Sequence, residues 1–189
     1  MIRHFARAGA LAALAFASPA AGQQLRVAYY GETITHYGLK AAYEHPLLSR
    51  VKDGNNARKE LVVAPGLAVY RHPHNHWGVV VSPELLYRRT GARGGLLEAG
   101  VAPSYFRYFL AGTTYEVNPQ GGLEQVPLAG GNAFLPTVFV GIGRDQRVHP
   151  PGTWAWYGRL LLSQQYPYNL SSLTRFAVEA GIIKNLKTR

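Results

Sequence analysis

The stretch Glu60 to Arg89, ELVVAPGLAVYRHPHNHWGVVVSPELLYRR, constrains the fold more than any other part of the chain. Every second residue is apolar or aromatic: Leu61, Val63, Pro65, Leu67 and Val69, then Trp77, Val79, Val81, Pro83, Leu85 and Tyr87. The positions between them hold the small residues and all the charged ones, including Glu60, Glu84 and Arg88. Alternation with period two is strand geometry, because successive side chains leave opposite faces of a strand. Arg71-His72-Pro73-His74-Asn75 closes the two strands into a hairpin. The charge-free row runs for about 10 residues per strand, the length that crosses a bilayer. The pattern predicts an all-β, membrane-embedded, antiparallel up-and-down barrel, with Val79 and Val81 facing lipid near mid-membrane.

Residues 1–22, MIRHFARAGALAALAFASPAAG, read as a signal peptide. Arg3, His4 and Arg7 make a basic start, Ala8 to Ala17 an apolar run, and Ser18 to Gly22 a small-residue cleavage region. The expectation is an exported chain of a Gram-negative cell, with residues 23–189 forming one barrel domain in the outer membrane. No later segment approaches 18 uninterrupted apolar residues, so only a barrel would let the mature chain span. The sequence has no Cys, and an exported domain without disulfides must draw its stability from a core or a closed sheet. The net charge is +10, and removing Arg3 and Arg7 with the signal leaves about +8. Because the chain is read as exported, nucleic acid is not the expected partner of that charge. The charge points to soluble loops and to the phosphates of lipopolysaccharide.

Further alternating stretches run over 33–46, 96–109, 134–145, 154–164 and 174–183, which with the central hairpin makes seven strands. Single-chain barrels have even strand numbers, and Leu25 to Tyr30, LRVAYY, is the preferred eighth. A polar loop is expected over Ser49–Lys59, around the turn residues Asp53-Gly54-Asn55-Asn56. Residues 110–132 read as a hairpin projecting from the barrel rim around Asn118-Pro119-Gln120-Gly121-Gly122. Arg107 has the wrong parity for its strand: either the strand has left the bilayer there, or a bulge shifts the register.

Prolines 65, 83, 103 and 136 all fall on the outer row. A proline removes a ladder hydrogen bond, so bends near the membrane boundary are expected at these points. The phrase FLPTVFVGIG, a proline opening an alternating strand that ends in glycine, resembles the strand text of small OmpA- and OmpX-like outer-membrane barrels. The resemblance is to the class as a whole. It implies a structural or surface-interaction protein, assembled by the barrel-assembly machinery and surrounded by outer-membrane lipid and lipopolysaccharide. Such proteins commonly finish on an aromatic residue. This chain ends IIKNLKTR, so an assembly signal is expected inside the sequence.

Aromatic residues near strand ends, among them Tyr29, Tyr30, Tyr43, Trp77, Tyr87, Tyr105, Tyr108, Trp154 and Trp156, are expected to form interfacial girdles. Lys40, Glu44, Glu84, Arg88, Glu98, Arg159, Arg175 and Glu179 all take inward parity. An eight-stranded barrel is just wide enough for side chains to fill it, so these charges should pair as a lumen network in place of a channel. His72, His74 and His76 share one face of an extended segment and are the weak candidates for a metal site. No nucleophile elbow, HExxH or phosphate loop is present, and no cofactor or catalytic residue is assigned. Two other readings stay open. One is a lipid-A-modifying enzyme using Ser82 or Ser104 with a histidine. The other is a soluble periplasmic barrel with the apolar row turned inward on an apolar ligand.

Overall fold

In the computed structural model, which describes residues 22–52, 57–148 and 152–186, eight long strands close into one antiparallel barrel. The strands are β1 (Gln24–Glu32), β2 (His36–Val51), β3 (Arg58–His72), β4 (His76–Thr90), β5 (Gly95–Leu110), β8 (Gly130–Asp145), β9 (Trp154–Tyr168) and β10 (Ser171–Asn185). Between β5 and β8 the chain makes a separate two-stranded hairpin, β6 (Thr114–Val117) with β7 (Leu123–Val126). Each barrel strand pairs with its sequence neighbour, β5 passes to β8, and β1 closes on β10. The expected signal peptide, the Asp53–Asn56 turn and the last residues of the IIKNLKTR tail lie outside the described residues.

The eighth strand is the LRVAYY segment, extended to Gln24–Glu32 and paired along its whole length with β10 and β2. β2 runs past the expected strand end at Pro46 as far as Val51, so the polar loop shrinks to the residues between Val51 and Arg58. The reason is a register shift between Pro46 and Leu48, which lets the strand bend around the proline and continue. Arg107 lies on an unbroken β5–β8 register, and no bulge moves it. It stands past Tyr105, the last residue of the charge-free row on its own strand, and bonds Asn132 Oδ1 at 3.0 Å and the Leu128 carbonyl at 3.3 Å.

The charge-free rows are exposed outside the barrel and the charged rows are buried within it. A barrel with its apolar row turned inward is therefore not what this sequence forms. Outward charges appear only beyond the row, as with Lys59, Arg71, Arg89 and Arg144. The uncharged spans cover residues 61–69 of β3, 77–87 of β4, 97–105 of β5 and 134–142 of β8, each the 9–11 residues a tilted membrane strand needs. Both ends of these four strands extend past that band. Tyr30, expected in the aromatic girdle, instead lies inside with 5% exposure, because its parity is that of Arg26 and Glu32.

The prolines sit in mid-strand, not at the boundaries. Pro65 pairs with Pro83 and Pro103 with Pro136, so the residues without an N–H face each other across two seams. The missing donors fall on the other side of each strand. There the ladder is interrupted between Ala42 and His45 on β2, between Val81 and Leu85 on β4, and between Phe134 and Thr137 on β8. Pairing the prolines confines ladder loss to three seams, the same logic that keeps proline at edges in open sheets.

Candidate functional site: a sealed lumen beneath a polar mouth

Inward residues of six strands meet in one ion-pair network. Arg88 forms a bidentate pair with Glu44, at 2.8 and 2.7 Å, and its Nε reaches Glu98 at 3.1 Å. Arg159 bonds Glu84 at 2.8 Å and also Glu98. Lys40 bridges Glu84 and Glu179. Arg26 pairs with Glu44 and lies 3.4 Å from Glu98 and 3.5 Å from Glu84. Four cations thus meet four carboxylates, all almost fully excluded from solvent. Burial on this scale is tolerable only because each charge has partners and the sum is zero. Tyr157 lies beneath Arg26, 4.5 Å from ring centre to guanidinium, and Phe139 beneath Arg159 at 4.3 Å. Glycine makes room for the long side chains: a Cβ at Gly141 would lie 2.7 Å from Arg159 Cγ.

Arg175, expected in the same network, belongs to a second cluster nearer the end of the barrel opposite the chain termini. Its Nε donates to Glu32 at 2.9 Å and its Nη1 to Gln165 at 3.0 Å, and its Nη2 bonds Tyr70. Its guanidinium packs on Phe106 at 4.5 Å. Tyr70 fits because Gly78 stands opposite it, where a Cβ would come within 2.2 Å of the ring. Above this layer opens a cavity of about 540 Å³, lined among others by Glu32, His36, His72, His76, Tyr108 and Gln165.

The histidines at the mouth are not the trio expected. His36 stacks on His72 at 3.7 Å and hydrogen-bonds Glu32, and His72 meets His76 edge-on at 5.0 Å. His74, in the turn with φ 61°, is exposed and outside the cavity lining. The hairpin turn breaks the extended geometry on which the i, i+2, i+4 spacing depended. Among the described residues no three imidazole, thiol or carboxylate groups stand where they could hold a metal ion. Ser104 donates to Ser82 at 3.2 Å inside the lumen, and neither serine lines the cavity that holds the histidines. Neither Ser82 nor Ser104 is therefore placed with the mouth histidines.

His76 begins β4 just beyond the uncharged span. Burial, followed by the nearby His72 and Arg175, lowers its pKa to about 4. Its neutral form is therefore favoured in the fold, where Nε2 meets the Tyr70 hydroxyl at 3.3 Å. The unfolded chain takes up this proton near 6.5, so stability present above that pH should fall as pH drops towards about 4. His76→Gln should flatten this part of the thermal-stability profile. An unchanged slope would place the proton uptake elsewhere.

Arg26, Glu32 and Glu60 are charges of the lumen and mouth that the expected network did not include. The first two sit on β1, the strand with the weakest pattern, yet the alternation Gln24, Arg26, Ala28, Tyr30, Glu32 carried the signal. Glu60 opens the central hairpin on the inward parity and is 4% exposed, paired with Arg58 at 3.0 Å.

A closed eight-stranded antiparallel barrel with an apolar exterior and a charge-filled interior is the fold of small outer-membrane barrels. Neisserial surface protein A shares it at 10% sequence identity and a TM-score of 0.52, over 87% of this chain and 96% of that one. The outer-membrane enzyme PagL (10% identity, TM-score 0.48, 86% and 99% covered) and the N-terminal barrel domain of Pseudomonas aeruginosa OprF (13%, 0.47, 88% and 100%) are also similar. No protein-family model matches the sequence, and no curated protein matches it.

Proposed function

We propose that the protein is an exported outer-membrane barrel of the structural or surface-interaction type, a sealed anchor that presents the mouth cavity to its surroundings. The observation that supports this most is the balanced network of Arg26, Lys40, Arg88 and Arg159 with Glu44, Glu84, Glu98 and Glu179. It fills the barrel below the cavity, so the mouth is a pocket with a floor and not the entrance of a pore. Outer-membrane lipid and lipopolysaccharide contact the exterior, and the barrel-assembly machinery inserts the chain.

The mature protein should fractionate with the outer membrane and migrate faster on gels unheated than boiled, as closed barrels do. In planar bilayers it should give no steady conductance. Folded protein in the periplasmic extract would overturn the membrane assignment, and a stable open channel would overturn the sealed lumen.

A further inference from the structure

Three cations stand side by side on the outer face of the barrel where the apolar band ends. Arg50 pairs with Lys59 across β2 and β3, and Lys59 with Arg89 across β3 and β4. All three are exposed. Like charges directly opposite one another in a sheet are destabilising, so such a row calls for an anion. Among the described residues none of the three has an ion-pair partner. Together with Lys52 and Arg58 they line a cavity of about 520 Å³, and none of its described lining residues is a carboxylate. Among the described residues, Arg58 alone of these cations is neutralised, by Glu60 at 3.0 Å and Asp145 at 3.5 Å.

The outward cations at the opposite end are different. Arg71 packs on Trp77 at 5.3 Å, while Arg107 packs on Phe109 at 5.1 Å and bonds Asn132. Those two are already engaged, whereas no described residue pairs with the Arg50–Lys59–Arg89 row.

One step along the same outer row, towards the middle of the strands, stand Leu48, Leu61 and Tyr87, again paired across the three strands. Charge and apolar wall therefore follow one another in the order of a lipid: phosphate, then chains. We propose that Arg50, Lys59 and Arg89 form a headgroup site for an anionic diacyl phospholipid, with its chains along Leu48, Leu61 and Tyr87. The site lies at the barrel end where β1 begins and β10 finishes. A barrel inserted from the periplasm keeps its chain ends on that side, where the leaflet is phospholipid. This inference rests on the membrane insertion proposed above.

The test uses the full barrel in micelles doped with phosphatidylglycerol, phosphatidylcholine or lipid A, with retained lipid counted by native mass spectrometry. The unmodified barrel should prefer phosphatidylglycerol to both others, with and without excess inorganic phosphate. Each cation removed should weaken retention by roughly five-fold, so R50Q/K59Q/R89Q should lose the preference and K59Q alone should show part of the loss. The control R71Q/R107Q should keep it. Equal retention by the unmodified and triple variants overturns the site. Preference for lipid A overturns the phospholipid assignment, and displacement by inorganic phosphate shows a bare anion site instead. Heat-modifiable migration reports folding and insertion separately. An unmodified protein that lacks it overturns both readings, and one that has it without lipid preference overturns this one alone.

Discussion

Glu98→Ala should cost the barrel about 3–5 kcal/mol, the range for breaking a buried ion pair by removing one partner. Glu98 is 1% exposed and is the carboxylate on which three arginines converge: Arg88 Nε at 3.1 Å, Arg26 at 3.4 Å, and Arg159. Its loss leaves four cations facing three carboxylates in a closed interior, with no solvent path for the surplus charge. Removing Arg88 as well restores the balance, so the double variant should be less damaged than the sum of the two single ones. Urea unfolding in micelles, followed by the heat-modifiable shift, measures all three proteins. A loss below about 1 kcal/mol for Glu98→Ala, the value of a surface pair, would mean that the lumen is hydrated and the network solvated.

The same residues show how far the sequence could be read. Parity alone carried the direction of every lumen charge assigned, because a strand in a barrel has one wet or filled side and one lipid side, and a single-residue slip would exchange them. Partners were not readable. Glu98 bonds Arg159 across 61 positions, and Lys40 bonds Glu179 across 139. Which carboxylate meets which cation depends on strand order and stagger, and period-two alternation is silent on both. The mouth was missed for a related reason. Its floor joins Glu32 of β1, Tyr70 of β3 and Arg175 of β10, and its histidine stack joins β2 to β3. The spacing groups His72, His74 and His76, whereas pairing of β2 with β3 sets His36 on His72 and the turn leaves His74 outside the cavity lining. The prolines mark the opposite error. Each, taken singly, argues against a strand, and only the register shows that they oppose one another in pairs.

Depth along the outer face gives the second large effect. Val138 is the centre of the charge-free row from Phe134 to Ile142 on β8, and it is 52% exposed. Val138→Arg places a guanidinium near the bilayer midplane and should cost about 2–4 kcal/mol. Val79, expected from the sequence near mid-membrane, stands directly across from Arg107 and two positions from the Trp77 level. An arginine is already accommodated beside it, so Val79→Arg should cost only about 0–1 kcal/mol, as for a position near the interface. Thr137 provides the contrast of parity: it faces inward and bonds Ser163 at 2.8 Å and the Leu135 carbonyl at 2.9 Å. Because the chain has no Cys, single cysteines can be labelled cleanly at chosen positions. Labels at 79, 81 and 138 should be quenched by lipid-soluble quenchers, with 138 the deepest, and labels at 80 and 82 should not. Equal penalties for the two arginine variants would remove the depth gradient. Equal quenching at 79, 80, 81 and 82 would rule out the inside–outside assignment on which the network, the mouth and the headgroup row all depend.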